Sequence, residues 1–441
     1  MPAEQLGRPQ RRDPGAGVLK TVVDPKPAFE LPAHEFRHEF GRLVSVLARR
    51  FGAHRLDLCE DAVQTALLRA VQSWPLGGPP DDRSAWLYRV AMNEVLGALR
   101  REKKIDSCAG DTEQVPADIG DDEAVYLEHE VRDDQLRMLF ICADPGIPRE
   151  SQIAFALKTL CGFSTGEIAL RLFQNQEAVY KRLQRARVAL RERVVEIDTP
   201  RIEELGNRLP AVLQILYVLF TEGYSSAQPD TVIRRELCEE AIRLGLLLVE
   251  HPVGASPETD ALLALMYLGA ARFDSRVDGA GGLLLLEEQD RSLWDRELIR
   301  VGISHLHRAA RGEVLSRYHV EAGIAAEHCL APTYGETRWD EVTRLYQILD
   351  GVAPSPLNTL NRAIAVAEWK EPEVGLALLE ALEPPSWLLG YYLWDATLGE
   401  LHRRCGDRER ATVYLMRALD AAPTHAEKAL LRRRLAACAI G

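Results

Sequence analysis

Residues 164–191 read STGEIALRLFQNQEAVYKRLQRARVALR and carry the signals of two consecutive helices. Ser164 and Glu167 fit the capping box S-x-x-E, which predicts the start of the first helix. After a turn of about three residues, a second helix is predicted from Gln176 to about Arg193. Its apolar residues recur at helical steps: Val179, Leu183, Ala186 and Leu190. A helix pair with a short turn and a basic second helix is a helix–turn–helix pattern, typical of DNA-binding proteins and of many other helical pairs.

Helical spacing of apolar residues continues in both directions from this pair. Upstream, one helix is predicted after Glu35, and a second is predicted to start with Asp57 as its N-cap and to be broken at residues 75–80. A third spans residues 86–104 and ends in a run of basic residues. After Pro200 the helical period continues to the end of the chain, with few alternating β-branched runs. The sequence therefore predicts an all-α protein.

The C-terminal part contains a stretch that fits a tetratricopeptide (TPR) pattern, a helical hairpin repeat of about 34 residues. The matching positions are Leu398, Gly399, Gly406, Ala411, Leu415, Ala418 and Pro423. Residues 360–382 fit a second copy less well. A TPR-like helical domain is predicted, and plain helical hairpins remain the alternative for residues 205–331.

Charge is distributed very unevenly along the chain. The 441 residues hold 54 Lys and Arg against 66 Asp and Glu, a net charge of −12. That average alone argues against a nucleic-acid coat or a binder of anionic membranes. Residues 1–105 and 135–199, however, carry +4 and +3, whereas residues 106–134 carry −10 and residues 200–441 carry −9. Two basic modules thus flank an acidic linker, and a larger acidic domain follows.

Several classes of protein are disfavoured by composition. No apolar run approaches the ~20 residues of a membrane span, and residues 1–32 lack an apolar signal-peptide core. A cytoplasmic protein with a disordered tail over residues 1–32 is expected. The eight cysteines form no CxxC pair. Residues 34–38 read HEFRH, a literal zinc-protease motif, but a peptidase also needs a third ligand and a cleft. A zinc peptidase is therefore not expected, and the sequence signals no metal site and no cofactor.

Together, the first 195 residues resemble a bacterial extracytoplasmic-function (ECF) sigma factor of the sigma-70 family. The matching stretches are 57–64 (DLCEDAVQ) for the acidic helix of region 2, 85–93 (AWLYRVAMN) with 99–101 (LRR) for the segment that melts and reads the −10 element, and 163–187 for region 4. Further stretches resemble the subgroup with a long C-terminal TPR-like extension: 220–224 (FTEGY), 284–295 (LLLEEQDRSLWD) and 355–366 (SPLNTLNRAIAV).

The resemblance implies a division of the chain and a function. The implied parts are a tail over 1–32, region 2 over 33–105, the acidic linker over 106–134, region 4 with its helix–turn–helix over 135–197, and the TPR-like domain over 198–441. Such a protein directs core RNA polymerase to two-part promoters and helps to melt them. The implied partners are promoter DNA and core polymerase, through its β′ clamp and β flap. Since the polymerase makes the bonds, no catalytic residue is implied.

The resemblance also implies site residues. Those for the −10 element are Trp86, Tyr88, Arg89, Asn93, Arg100, Arg101, Lys103 and Lys104. Those for the −35 element are Asn175, Gln176, Lys181, Arg182, Arg185 and Arg187. Those for core polymerase are Asp57, Glu60, Asp61 and Gln64. Basic side chains would neutralise phosphates, and the two aromatic rings would stack on an unpaired base, although aromatics at helical spacing are also typical of a core.

The sequence departs from the family pattern at two positions. A basic residue is usual where Met92 stands, and an acid is frequent where Gly97 stands, so the promoter contacts of these two positions are not carried over from the family.

The acidic extension raises a hypothesis about regulation. Its charge of −9 would attract the basic reading surfaces, so it would mask them, and deletion after Ile197 would raise promoter activity. A contact with a regulatory protein is also possible, and a loss of activity on deletion would indicate a required role instead. Two alternatives of other classes remain: a helix–turn–helix regulator that acts without polymerase, and a TPR scaffold for peptide partners.

Overall fold

The structure is a computed structural model that describes residues 33–106, 133–172, 174–192, 202–226, 228, 231–279 and 281–440. These residues form nineteen α-helices and no β-strand, which confirms the predicted all-α fold. The predicted tail over residues 1–32 lies outside the described residues, as does the acidic linker except for its ends.

An N-terminal module contains the first three helices. They are α1 (Ala33–Phe51), α2 (Leu56–Gly77) and α3 (Arg83–Asp106). The predicted N-cap role of Asp57 is wrong, because α2 begins at Leu56 and Asp57 lies in its first turn. The predicted break over residues 75–80 is confirmed, since α2 continues through Pro75 to Gly77 and Gly78, with φ of 81°, ends it.

A helix–turn–helix module follows. It contains α4 (Asp134–Cys142), α5 (Arg149–Cys161), α6 (Thr165–Arg171) and α7 (Gln176–Glu192). The predicted capping box is confirmed, since the Ser164 side chain accepts from the Glu167 N–H and the Glu167 side chain accepts from the Ser164 N–H. The predicted apolar stripe of α7 is also confirmed, as its four residues are the buried ones of that helix.

The remaining helices form the extension, in which one long connection over residues 271–295 contains short 3-10 helices. Its first half contains α8 (Ile202–Tyr224), α9 (Arg235–Glu250), α10 (Pro257–Ala270), α11 (Arg296–Ala309), α12 (Arg317–Leu330) and α13 (Trp339–Val352). Its second half contains α14 (Pro356–Trp369), α15 (Pro372–Glu380), α16 (Ser386–Leu389), α17 (Tyr392–Arg404), α18 (Arg408–Ala421) and α19 (His425–Ile440).

The stretch that fits the TPR pattern forms a tight helical hairpin of α17 and α18. A Cβ atom added at Gly399 would lie 2.8 Å from Cγ of Leu415, so glycine is needed where the two helices approach. Gly406, in the turn between them, has φ of 83°, a conformation that favours glycine.

One apolar core runs through both N-terminal modules and into the extension. Leu43 of α1, Phe155 of α5, Leu213 of α8 and Leu263 of α10 are all fully buried in the same cluster. The later helices have separate clusters, such as the one around Trp394. The first three helices of the extension therefore belong to the same packed body as the helix–turn–helix module.

Candidate nucleic-acid interface

The outward face of α3 carries several residues predicted for the −10 element. At about 100° per residue, Trp86, Arg89, Asn93 and Arg100 share one side of the helix. Arg89, Asn93 and Arg100 are exposed, and Trp86 is half-buried. The Trp86 ring meets the ring of Trp74 of α2 edge-on, with centroids 5.5 Å apart. This face thus presents a fixed aromatic ring among exposed polar and basic side chains.

Tyr88 lies on another side of α3. It follows Trp86 by two residues, a rotation of about 200° around the helix. Its half-buried hydroxyl accepts a hydrogen bond of 3.2 Å from Nη1 of Arg50 in α1. The structure therefore does not bring the two aromatic residues predicted to stack on a base together on one face.

The two departures from the family pattern occupy different surroundings. Met92 is 8% exposed and belongs to the core, so a basic side chain would be buried at that position. Gly97 lies on the same side of α3 as Trp86, where an added Cβ would be 3.8 Å from Nη1 of Arg101. Arg101 is exposed. The side chains of Lys103 and Lys104 lie outside the described residues.

The N-terminal half of α7 is open to solvent. Oδ1 of Asn175 accepts a hydrogen bond of 2.8 Å from the N–H of Ala178, so Asn175 caps this helix. Gln176, Lys181 and Arg185 are exposed. Nζ of Lys181 lies 2.7 Å from Oε1 of the exposed Glu177, and Arg185 follows one turn further along the helix. The solvent face of the first half of α7 thus presents polar and basic side chains.

Two other arginines of α7 are turned toward neighbouring helices. Nη2 of Arg182 lies 3.1 Å from a carboxylate oxygen of Glu150 in α5. Arg187 reaches α2, with Nε at 2.6 Å from Oδ1 of Asp57 and Nη2 at 2.8 Å from Oε2 of Glu60. The structure thus joins a residue predicted to bind DNA to two residues predicted to bind polymerase.

The predicted polymerase-binding residues of α2 fall into two groups. Glu60 is 3% exposed, and it also accepts a hydrogen bond of 3.0 Å from Oγ1 of Thr159 in α5. Asp57 is half-buried beneath α7. Asp61 and Gln64 are exposed. Half of the predicted surface is therefore covered by the helix–turn–helix module.

A second ionic cluster, which sequence analysis missed, joins three parts of the fold at the start of α6. Glu167 lies 2.9 Å from Nη2 of Arg37 in α1 and 3.7 Å from Nη1 of Arg234 beside α9. The same nitrogen of Arg234 lies 3.7 Å from Oε1 of Glu222 in α8. The Arg234 guanidinium also lies 4.9 Å from the centre of the Phe163 ring. This cluster links the N-terminal module, the helix–turn–helix module and the extension.

The surroundings of Glu167 favour its ionised form. Burial would raise its pKa, but the hydrogen bond from the Ser164 N–H and the charges of Arg37 and Arg234 outweigh burial, so the pKa lies below its ordinary value. A signal for this cluster was present in the FTEGY motif. Its acid, Glu222, closely follows a long apolar run and is buried in α8.

The extension is attached to the helix–turn–helix module by a fully buried ion pair. Nη2 of Arg208 in α8 lies 2.6 Å from Oδ2 of Asp144, and their side chains are 2% and 1% exposed. Nη1 of Arg208 donates a hydrogen bond of 3.1 Å to the carbonyl oxygen of Phe140. The predicted boundary at residues 197–198 therefore does not separate two independent cores.

The described part of the chain holds neither a candidate metal-ligand cluster nor a candidate membrane span. None of its His, Cys, Asp and Glu side chains form a group of three that could hold a metal ion. None of its helices has the length and apolarity required to span a bilayer.

Comparisons with known proteins found matches in two parts of the chain. Residues 36–105 match the family described as sigma-70 region 2. Residues 208–310 match a family of unknown function, DUF6596, and cover α8 to α11. A protein of Rhizobium meliloti (strain 1021), named "Uncharacterized protein R00370", is 36% identical over 402 residues, which are 89% of this chain and 94% of the relative.

The relative extends the likeness over both N-terminal modules and the extension. The match to sigma-70 region 2 covers the helices that carry Trp86 and Glu60. Such a region indicates an interaction with core RNA polymerase and promoter DNA. The match to sigma-70 region 2 therefore supports a sigma-70 family factor with a sigma-factor-like role in the initiation of transcription.

Proposed function

We propose that the protein is a sigma factor of the ECF type, which directs core RNA polymerase to promoters with −10 and −35 elements. The observation that carries this proposal is the match of residues 36–105 to sigma-70 region 2, on a module whose α3 exposes polar and basic residues beside Trp86. The polymerase makes the bonds, and this chain contributes no catalytic residue. The protein acts in the cytoplasm, where its polymerase works.

At the −10 element, α3 supplies the contacts. Arg89, Arg100 and Arg101 are exposed and can neutralise phosphates. Trp86 presents a half-buried ring held against Trp74, so it loses little freedom when a base stacks on it. Tyr88 instead supports α1 through Arg50.

At the −35 element, α7 is the helix that enters the major groove. Helices of this class contact bases with their N-terminal residues, and Gln176 and Lys181 lie there, exposed, with the exposed Arg185 one turn further along. Asn175 holds the start of the helix through its cap.

The extension is a TPR-like regulatory domain. Its hairpin of α17 and α18 has the close helix approach and the glycine turn of a TPR unit. The buried pair of Arg208 with Asp144 makes its first helix part of the module that carries α7. A signal bound by the extension would therefore reach the DNA-binding helices directly.

Binding of core RNA polymerase tests this proposal. The full chain is expected to co-elute with core polymerase in size-exclusion chromatography. Asp61→Arg, on the exposed part of the predicted polymerase surface, should weaken the complex. Glu313→Arg makes the same charge change at an exposed site of the extension and serves as the control. A chain that binds promoter DNA but no polymerase would contradict the proposal and favour an operator-binding regulator.

A further inference from the structure

We propose that the extension contains a binding site for a phosphate group, formed by arginines around Trp294 in the connection over residues 271–295. Two stretches that have no role in promoter contacts meet there, residues 220–224 (FTEGY) and 284–295 (LLLEEQDRSLWD). The inference goes beyond the proposed function and does not depend on it, because phosphate binding can be measured without polymerase or DNA.

Four arginines of the described residues lie close together in this part of the extension: Arg272, Arg276, Arg291 and Arg296. Cζ of Arg272 lies 5.2 Å from the centre of the Trp294 ring, and Cζ of Arg291 lies 4.6 Å from it. Nη2 of Arg296, the first residue of α11, lies 3.4 Å from the carbonyl oxygen of Arg291. One buried indole ring thus contacts two guanidinium groups, with a third arginine beside them.

Arg276 joins the end of α8 to the same cluster. Its guanidinium carbon lies 3.8 Å from the centre of the Tyr224 ring, and its Nη1 donates to the carbonyl oxygen of Tyr224. Burial would raise the pKa of Tyr224, but the charges of Arg272 and Arg276 outweigh burial, so the pKa lies below its ordinary value. The surroundings of this phenol therefore contain an excess of positive charge.

No carboxylate of the described residues balances these charges by an ion pair with one of the four arginines, and their hydrogen bonds go to neutral oxygens. Nη1 of Arg291 donates to the carbonyl oxygens of His328 and Ala331 at 2.6 Å and 2.7 Å. Nη2 of Arg272 donates to Oε1 of Gln289 at 3.1 Å. Three acids of the same region pair with other arginines: Asp274 with Arg235, Glu288 with Arg433 and Glu297 with Arg300.

Burial makes this imbalance of charge costly. Arg276 and Arg291 are each 8% exposed. Burial lowers the pKa of both guanidiniums, and the charge of Arg272 lowers it further. Arginine nevertheless keeps its proton in proteins, and buried charges are normally paired. An anion bound among the four arginines would supply the missing negative charge.

Two buried nitrogen atoms beside the arginines also lack a partner. Trp294 is 2% exposed, and its Nε1 has no hydrogen-bond acceptor among the described residues. Nδ1 of His328, in α12, is buried without a partner there as well. Buried polar groups are ordinarily hydrogen-bonded, and an indole N–H can only donate. An unpaired donor next to two guanidiniums points to a ligand that accepts hydrogen bonds and carries negative charge.

The donors favour a phosphate group over a carboxylate. Phosphate carries a charge of about −1.5 to −2 and has acceptor oxygens on several sides, whereas a carboxylate has one charge and two oxygens in one plane. Arginine binds phosphate with two parallel N–H groups. Since Trp294 and Arg291 are buried and Arg272 is half-buried, the cluster reaches solvent on the side of Arg272. Free phosphate and the phosphate group of a larger molecule share this chemistry.

The test measures the binding of two probes to the full-length protein by isothermal titration calorimetry, in chloride at constant ionic strength. The probes are inorganic phosphate and adenosine monophosphate. Arg272→Gln removes one charge from the half-buried side of the cluster. Trp294→Phe keeps an aromatic ring and removes the unpaired N–H.

Matched controls come from exposed sites of the extension. Arg300→Gln removes a surface arginine of α11 that pairs with Glu297. Trp369→Phe changes a tryptophan of α14 that is 47% exposed. Circular dichroism checks that all four variants are folded.

We expect saturable binding of about one phosphate group per chain. Arg272→Gln should weaken it about ten-fold or more and Trp294→Phe about five-fold, whereas both controls should stay within about two-fold of wild type. If Arg272→Gln is not folded, Trp294→Phe decides alone.

The two probes distinguish the sources of the phosphate. Binding of inorganic phosphate alone supports a site for the free ion, and binding of adenosine monophosphate supports a site for the phosphate group of a larger molecule. The absence of saturable binding for both probes overturns the inference. Binding that Arg272→Gln and Trp294→Phe leave unchanged overturns it as well, because the phosphate then binds elsewhere on the protein.

Discussion

The buried ion pair between the extension and the helix–turn–helix module gives the sharpest stability prediction. Arg208→Met keeps much of the side-chain length but leaves the Asp144 carboxylate, 1% exposed, without its guanidinium. Removing one partner of a buried pair costs about 3–5 kcal/mol. The lost hydrogen bond to the Phe140 carbonyl oxygen contributes about 1 kcal/mol within that range. We therefore expect α4 and α5 to open more easily in this variant.

Hydrogen exchange read by mass spectrometry measures that opening locally. A loss of 3–5 kcal/mol corresponds to amide exchange faster by about 100-fold to 4,000-fold in α4 and α5. In the double variant Arg208→Met with Asp144→Asn, the amide oxygen can still accept the hydrogen bond of 2.7 Å from the Gly146 N–H, and the buried charge is gone. The free energy of opening of α4 and α5 should then rise by about 2 kcal/mol relative to Arg208→Met alone, and their amides should exchange more slowly.

An exposed arginine provides the control for this experiment. Arg300 of α11 pairs with Glu297 at the surface, and Arg300→Met should leave exchange in α4 and α5 unchanged. If amide exchange in the Arg208→Met variant stays within about three-fold of wild type, the buried pair does not stabilise α4 and α5 as expected. This result would mean that α8 is not part of the packed body of the helix–turn–helix module.

Three further predictions concern other surfaces. Arg100→Gln and Arg101→Gln should each weaken binding to promoter DNA by a similar factor whatever the DNA sequence. Each should also reduce the slope of log affinity against log salt concentration by about one, measured by fluorescence anisotropy at several salt concentrations. Trp86→Ala should lower the rate of promoter melting in a permanganate assay, whereas Tyr88→Phe should leave it nearly unchanged, since Tyr88 lies away from that face. Burial lowers the pKa of His328 to about 3, and the charges of Arg272 and Arg291 lower it further. The folded state therefore favours the neutral imidazole, whereas the unfolded chain binds a proton below about pH 6.5. The free energy of unfolding should therefore fall as the pH drops below about 6.5. His328→Gln should flatten that decline in thermal unfolding followed from pH 7 to pH 4, and an unchanged pH profile would contradict it.

The parts of the fold that local sequence determines were predicted well. The capping box of Ser164 and Glu167 and the buried stripe of α7 depend on residues three or four positions apart, so one stretch of sequence contains all the information. The end of α2 was predicted by its Pro and Gly residues, since the helix ends at Gly77 within the predicted break over residues 75–80. The N-cap of α2 was not, because Asp57 lies in the first turn and not before it.

The contacts between modules could not be predicted. Arg187 and Glu60 are 127 residues apart, and each is an ordinary charged residue on a helix with many charged residues. Only packing of the apolar faces decides which charges meet. The separation of Trp86 from Tyr88, by contrast, follows from the helical rotation of about 100° per residue and was within reach of sequence reasoning.

The masking hypothesis for the extension is sharpened by the structure. A deletion after Ile197 removes α8, which buries Arg208 against Asp144 and shares the main core. Such a deletion changes the stability of the helix–turn–helix module together with any masking. The contact that covers Glu60 comes from Arg187 of α7, so removal of the extension does not test that contact.

The central claim is that this chain confers promoter specificity on core RNA polymerase. Transcription in vitro with core polymerase, genomic DNA fragments and the full-length protein, followed by mapping of the 5′ ends of the transcripts, tests it most directly. With the protein present, we expect discrete start sites that share a two-part element upstream. These start sites should disappear when the protein is left out. The same scattered 5′ ends with and without the protein would contradict it.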